Sequence, residues 1–318
     1  MLGKAEAYRM TRDYASYFTT LDALMGDRDA APESKAAYLK AVVTRTSPQF
    51  LNAFRSQFDS TMAVVSAAHP SDTSVLKVTG AYYLMTNRLD DAVGAYRKVM
   101  DETPEDLESA ATYAQLLLYT GDADRVVAVC DSAQTKFPDT TVFLEIANAA
   151  EYGRKNYRQV IANCEKMLRM LPSGTSPCLS VWGTIGDTYH LLGDEAKAFK
   201  AYDNALKIDP GCVQVLNNYA YYLSESGKKL KKAYAMSRKT VEAEPDNATY
   251  LDTFGWILFL QGKALEAKPF FKHAMLYGGK ESAVILEHYA AVLEALGEND
   301  LAKVYRQQAK NKAAEGKE

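Results

Sequence analysis

The segment WGTIGDTYHLLGDEAKAFKAYDNALKIDP, residues 182–210, combines aromatic rings with glycine and alanine and ends on a proline. Its apolar residues recur at helical spacing in two runs, which Gly193 and Asp194 separate. This pattern predicts two helices joined by a turn. Pro210 ends the second run, because proline lacks a backbone N–H and its fixed φ stops a helix. The segment is therefore predicted to be a helical hairpin.

The same hairpin pattern recurs along the chain. Prolines follow one another at spacings of 34, 34, 34, 38 and 35 residues, at Pro70, Pro104, Pro138, Pro172, Pro210 and Pro245. A second series is small in all members but one, and consists of Gly80, Ala114, Asn148, Gly186, Ala220, Gly255 and Ala290. A third consists of Ala92, Val126, Val160, Ala198, Ala233, Ala267 and Ala302. Three series in one register predict an internal repeat of about 34 residues.

Packing accounts for these residue types without any chemistry. Two helices that cross closely need glycine or alanine at the crossing, and aromatic rings fill the wider gaps on either side. The small residues are therefore expected where the two helices of each repeat cross.

Residues 182–210 also match a known signature. Trp182, Ile185, Gly186, Tyr189, Ala198, Tyr202, Ala205 and Pro210 fit W-x2-L-G-x2-Y, then A-x3-F, then P. The chain thus resembles the tetratricopeptide repeat family, over seven repeats from residue 73 to about 316. The resemblance implies an all-α fold, a right-handed α-solenoid of stacked antiparallel helix pairs.

Three segments depart from the regular repeat. Residues 1–72 lack the three series and are expected to form divergent helical pairs, and one hypothesis, which the sequence leaves open, is that they are the truncated end of a longer array. Residues 173–178, SGTSPC, are an insertion within the repeat region at 73–318. The polar stretch at the C-terminus is expected to be a capping helix.

Composition excludes several classes of function. The chain has 318 residues and a formal net charge of −3, so it has no general positive field for nucleic acid. No apolar run approaches the roughly 20 residues that span a bilayer, and no signal peptide is visible at the N-terminus.

Residues 216–259 resemble long tetratricopeptide proteins of the bacterial cell envelope. That resemblance implies a periplasmic or outer-membrane-associated location, with the cytoplasm as the alternative.

Catalytic motifs are missing from the sequence. There is no GxSxG, HExxH or GxxxxGK[ST], and the four histidines fall in different repeats. The four cysteines contain no CxxC and are expected to be free thiols. The sequence therefore predicts neither an enzyme nor a cofactor or metal site.

A repeat array of this type offers an extended concave surface lined by the first helix of each repeat. The period places seven side chains on that surface, namely Asp187, His190, Asn217, Tyr221, Asp252, Trp256 and Glu287. Tyr221 and Trp256 are additional to the rings and leucines that fill the family's core positions, so they are candidate anchors for a peptide. Ordinary core packing is the alternative role for both rings.

The predicted function is a non-catalytic scaffold that binds a protein or peptide in this groove, within a cell-envelope assembly. Three carboxylates on the surface favour a neutral or basic partner over an acidic one. Two alternatives remain, a regulatory or substrate-recruiting arm of an enzyme whose catalytic domain lies elsewhere, and a purely architectural subunit. The sequence leaves the oligomeric state open.

Overall fold

The structure, a computed structural model, describes residues 1–227 and 229–315. Within these residues the chain forms nineteen α-helices and one short 3-10 helix, with no β-strand. The all-α fold expected from the repeat is confirmed. The chain divides into two compact units, and the boundary lies between Gln159 and Val160.

The N-terminal unit contains ten complete helices, which pack mainly against their neighbours in sequence. Their bounds are α1 Leu2–Met10, α2 Tyr14–Met25, α3 Pro32–Arg45, α4 Pro48–Ala53, α5 Arg55–Ala68, α6 Thr73–Met85, α7 Leu89–Glu102, α8 Leu107–Tyr119, α9 Ala123–Lys136 and α10 Val142–Gly153. Helix α11, Tyr157–Met170, contains the boundary between the two units.

The C-terminal unit continues with four helical hairpins. Their bounds are α12 Ser176–Leu191, α13 Glu195–Ile208, α14 Val213–Glu225, α15 Leu230–Ala243, α16 Ala248–Leu260, α17 Ala264–Leu276, the 3-10 helix Gly279–Glu281, α18 Ala283–Ala295 and α19 Asn299–Glu315. The two helices of each hairpin pack together, and each of α12, α14 and α16 also contacts the first helix of the next hairpin. We call the surface formed by α12, α14, α16 and α18 the first-helix face.

A glycine and an aspartate set the turn inside a hairpin. Gly193 has a φ of 76°, a left-handed conformation that glycine adopts without strain. Asp194 follows it and caps α13, since its carboxylate accepts a hydrogen bond of 3.1 Å from the backbone N–H of Lys197. The sequence Gly-Asp thus ends one helix and starts the next.

Glycines at the helix crossings face aromatic rings, as the spacing predicted. A Cβ atom added to Gly186 would lie 2.5 Å from the Tyr202 ring, and one added to Gly255 would lie 2.7 Å from the Phe271 ring. Such distances are too short for a real side chain. The two backbones approach this closely because the first helix carries no side chain there.

The residue on the second helix that faces the crossing varies with the residue that the first helix has at the crossing. In two of the three repeats where the first helix has alanine, at Ala114 and Ala220, the second helix has Cys130 and Ser237 in place of a ring; in the last repeat the partner of Ala290 is the part-exposed Arg306. Ala114, Cys130, Ala220 and Ser237 are at most 1% exposed. In these two repeats a larger residue on one helix is therefore matched by a smaller one on its partner, which keeps the interior filled.

The insertion at residues 173–178 adds to a helix more than to a loop. Helix α12 begins at Ser176 and has 16 residues, whereas α14, α16 and α18 have 13 each. At the other end, α19 is rich in polar residues but leaves Leu301 and Val304 41% and 50% exposed. Residues 316–318 of the predicted last repeat lie outside the described residues.

Candidate functional site

The seven side chains selected from the sequence all lie on the first helices of the C-terminal unit. Helix α12 carries Asp187 and His190, α14 carries Asn217 and Tyr221, α16 carries Asp252 and Trp256, and α18 carries Glu287. Core residues beside the two candidate anchors are at most 5% exposed, namely Leu216, Tyr219, Leu223, Leu251, Phe254 and Leu258. Tyr221 and Trp256 themselves are only partly buried.

Three of these helices meet at His288. The imidazole Nδ1 of His288 on α18 lies 2.9 Å from Oδ1 of Asp252 on α16. Its ring stacks on the Trp256 indole, with centroids 3.9 Å apart and 12° between the planes. The indole N–H then donates a 3.1 Å hydrogen bond to the Glu225 carboxylate on α14. These contacts fix the orientation of the indole.

Side chains from three first helices converge at this point. The rings of Tyr221 and His288 have centroids 6.4 Å apart, although α16 lies between α14 and α18 in the chain order. Side chains from first helices two repeats apart can approach only if they lean toward each other over the helix between them. The Trp256 indole thus lies among side chains from the two flanking first helices, and we call this part of the first-helix face the groove.

Aromatic rings continue along the groove toward α12. His190 stacks on Tyr222 with a centroid distance of 3.5 Å, and Tyr222 meets Tyr221 edge-on at 5.5 Å. We call His190, Tyr222, Tyr221, His288 and Trp256 the aromatic strip. Stacked rings lose little freedom when a ligand covers them, so they suit a binding surface.

Asp187 lies at the α12 end of the groove and accepts two hydrogen bonds. The Tyr202 hydroxyl and the Asn218 side-chain amide, 3.1 Å away, both donate to its Oδ1. Tyr202 comes from the second helix of the same hairpin and Asn218 from the first helix of the next one. The carboxylate is thus held in one orientation by two different elements.

Burial changes the titration of the groove's ionisable groups. It raises the pKa of Asp187, although the hydrogen bonds from Tyr202 and Asn218 oppose the rise. It also raises the pKa of Asp252, opposed by the hydrogen bond with His288. Burial lowers the pKa of His190, which keeps that imidazole neutral at physiological pH. The groove therefore carries acidic groups, and its His190 ring presents a neutral face.

Two of the selected residues lie apart from the aromatic strip. Asn217 is only 4% exposed, and its side-chain oxygen accepts no hydrogen bond from the described residues. Glu287 is turned toward the second helix of its hairpin, where it pairs with Arg306 at 3.2 Å. The structure brings Tyr221, Asp252 and Trp256 together and places Asp187 and His190 at the adjoining end.

Sequence reasoning missed four members of the site. His288 stands one position after Glu287, and Tyr222 one position after Tyr221, so choosing one residue per helix turn left them out. Glu225 and Asn218 were missed because only a cross-helix contact shows their role. Assigning a wider part of each first helix's circumference to the binding surface would have included His288 and Tyr222.

Comparison with known proteins agrees with the geometry of the hairpins. Residues 153–315, just over half of the chain, match the family model described as Tetratricopeptide repeat. The chain belongs to the tetratricopeptide repeat family. A solved tetratricopeptide repeat protein from Parabacteroides merdae superposes with a TM-score of 0.61 at 13% identity, covering 75% of this chain and 92% of that one. This likeness shows the fold alone.

Two curated relatives share the repeat at low identity. Protein O-mannosyl-transferase TMTC1 from Homo sapiens is 22% identical over 231 residues, which cover 70% of this tetratricopeptide chain and 22% of the relative. TPR repeat-containing protein PA4667 from Pseudomonas aeruginosa is 24% identical over 161 residues, covering 50% and 27%. The chain thus spans about a quarter of the length of these relatives.

The residues that the structure describes contain neither a candidate membrane span nor a candidate metal cluster. None of the helices there has the length and apolar character that a bilayer crossing requires. No cluster of three or more His, Cys, Asp or Glu side chains in that part of the chain is arranged to hold a metal ion.

Proposed function

We propose that this chain is a non-catalytic interaction scaffold, and that the first-helix face of its C-terminal unit binds an extended peptide segment of a partner protein. The observation that carries the proposal is the aromatic strip, in which rings from α12, α14, α16 and α18 follow one another across the first-helix face. Trp and Tyr supply a disproportionate share of binding energy at interfaces, because they bury large areas with few rotatable bonds.

The charge of the groove favours one kind of peptide. Asp187 and Glu225 lie at this surface and Asp252 lies beneath it, paired with His288, whereas Arg306 is already engaged by Glu287 and Glu294. A neutral or basic segment gains from these carboxylates and from the ring faces, while an acidic segment is repelled. For the same reason, and because the chain's net charge is −3, nucleic acid is not a proposed partner.

The location proposed with this function is the bacterial cell envelope, in the periplasm or at the outer membrane. It rests on the resemblance of residues 216–259 to long tetratricopeptide proteins of that compartment. Cell fractionation followed by detection of the protein tests it. Recovery in the cytoplasmic fraction alone would contradict the envelope location but not the binding function.

A second candidate function is that of a recruiting arm within a larger protein. It is supported by the human relative, which is named as a transferase and of which this chain matches only 22%. In that case the groove would bind the substrate of a separate catalytic domain. Sequencing the complete gene product distinguishes an isolated scaffold from such an arm.

Measuring peptide binding tests the proposal directly. A random octapeptide library is applied to the immobilised chain, and retained peptides are titrated against wild type and the double variant Tyr221→Ala, Trp256→Ala. We expect at least about a tenfold loss of affinity in the variant, because two anchor rings are removed. The paired substitution Leu276→Ala, Tyr277→Ala, at residues 77% and 48% exposed outside the strip, is the matched control.

A further inference from the structure

A small cavity lies between α12 and α14, beside the aromatic strip. Its volume is about 170 Å³, and its lining includes Gly183, Asp187, Tyr202, Cys212 and Asn218. Pockets for drug-sized ligands and cofactors usually exceed about 300 Å³. The cavity therefore fits a single side chain better than a small-molecule ligand.

The polar lining of the cavity carries one formal charge and no compensating cation. Asp187 is its acidic member, and the lining contains no Lys, Arg or His. Both hydrogen bonds that hold the Asp187 carboxylate reach Oδ1, and Oδ2 accepts none from the described residues. The second carboxylate oxygen is thus available to accept a hydrogen bond from a ligand. Tyr202 and Asn218 fix the orientation of the carboxylate and therefore the direction from which a donor must approach.

Gly183 keeps the cavity open without being required by the fold. It lies inside α12, where glycine is unfavourable relative to alanine. A Cβ atom at this position would meet only the Val215 side chain, at an ordinary contact distance of 3.7 Å. The matching positions of the next three first helices carry Asn217, Asp252 and Glu287. Neither packing nor backbone conformation therefore explains the glycine, which lines the same cavity as Asp187.

We propose that this cavity is a specificity pocket that receives one lysine or arginine side chain of the bound peptide, with the cation on Asp187 Oδ2. The inference rests on the proposed peptide-binding function and names the chemistry of one position of the peptide. The aliphatic part of the peptide's lysine or arginine side chain passes between α12 and α14. Its terminal N–H groups donate hydrogen bonds to the Asp187 carboxylate and to the Asn218 side-chain oxygen.

The first test needs no peptide, because Cys212 lines the cavity and is partly exposed, whereas the other three cysteines are buried. The native chain is treated with cationic 2-aminoethyl and anionic 2-sulfonatoethyl methanethiosulfonate, and each rate is divided by that for free cysteine. We expect a preference of at least about tenfold for the cationic reagent, because the Asp187 charge lies nearby. Loss of the reaction in Cys212→Ser shows that the measured rates belong to Cys212. Asp187→Asn should abolish the preference for the cationic reagent. Equal rates, or a preference that survives Asp187→Asn, would overturn the pocket.

The second test uses the retained octapeptides. Replacing the basic residue by acetyl-lysine or citrulline should weaken binding at least about tenfold, and Gly183→Leu, which fills the cavity, should do the same without lowering the melting temperature. The control Gly94→Leu, at a helical glycine with no neighbour within 4 Å, should bind like wild type. Binding that ignores the basic residue and Gly183→Leu contradicts the pocket alone. If no octapeptide of any composition is retained, the proposed function fails as well.

Discussion

The imidazole of His288 and the indole of Trp256 lie face to face, with ring centroids 3.9 Å apart, while the same imidazole pairs with the buried Asp252. One histidine therefore stacks on the groove's largest ring and pairs with its most buried carboxyl group. Because the three side chains belong to α16 and α18, their contacts also hold two neighbouring first helices together.

Removing the imidazole should destabilise the fold. In His288→Ala, the buried carboxyl group of Asp252 loses its hydrogen-bond partner, which typically costs about 1–3 kcal/mol. Glu287→Ala is the matched control, because it removes only an exposed ion pair with Arg306, worth about 0–1 kcal/mol. Urea unfolding followed by circular dichroism gives both values. Equal free energies of unfolding for the two variants would show that the buried pair has no special role.

Acidification should favour the wild type over Asp252→Asn. Burial raises the pKa of Asp252 in the folded state above its ordinary value of 3.8. Between pH 3.8 and the raised pKa of the folded state, the Asp252 carboxyl group is protonated to a greater extent in the folded chain than in the unfolded chain. Its contribution to the free energy of unfolding therefore grows as the pH falls through this range. The free energy of unfolding of wild type minus that of Asp252→Asn should therefore rise from neutral pH toward 3.8 and then level off. A difference that falls over this range would contradict the raised pKa.

The helix crossings can be tested with a single methyl group. Gly255→Ala places a Cβ atom 2.7 Å from the Phe271 ring and should cost about 1–3 kcal/mol through overpacking. Gly94→Ala has no neighbour within 4 Å and should be neutral or stabilising by about 0.5–1 kcal/mol. Thermal and urea unfolding of both variants check this. A Gly255→Ala variant as stable as Gly94→Ala would refute the packing role of the glycine.

A double-mutant cycle tests the matched sizes at the crossing. Adding Phe271→Cys to Gly255→Ala reproduces the residues found at Ala114 and Cys130. We expect the pair to be less destabilising than the sum of the single changes, with a coupling of about 0.5–3 kcal/mol. Simple additivity would mean that the two positions do not compensate for each other.

Thiol chemistry should single out one cysteine. Cys130, Cys164 and Cys178 are at most 3% exposed, and burial raises the pKa of the Cys130 thiol to about 12. Cys212 is partly exposed. Under native conditions one thiol per chain should therefore react with iodoacetamide, and peptide mapping should locate the label at Cys212. Rapid labelling of Cys130 would show that the hairpin core opens readily.

The sequence was informative about the hairpins because their packing is local. Gly186 and Tyr202 lie 16 positions apart within one repeat, so the spacing of the series already reports their contact. The glycine at Gly193 and the cap at Asp194 are likewise read from neighbouring residues. Such contacts repeat with the period, and a single sequence is enough to find them.

The groove was less predictable because equivalent positions have different neighbours. Asn217, Asp252 and Glu287 occupy the same place in successive repeats. Asn217 and Asp252 are covered where the next first helix packs, and both are at most 5% exposed. Glu287 lies on α18, the last first helix of the described residues, and turns outward to Arg306. The period gives the face of a helix, but the neighbouring helix decides which side chain is used.

The central claim is that the aromatic strip binds a peptide, and the affinity of one retained octapeptide tests it most directly. Its dissociation constant is measured by fluorescence anisotropy with wild type and with Tyr221→Ala, Trp256→Ala, whose helical circular dichroism should match. We predict binding at least about tenfold weaker in the variant. An unchanged dissociation constant in a folded variant would contradict the claim.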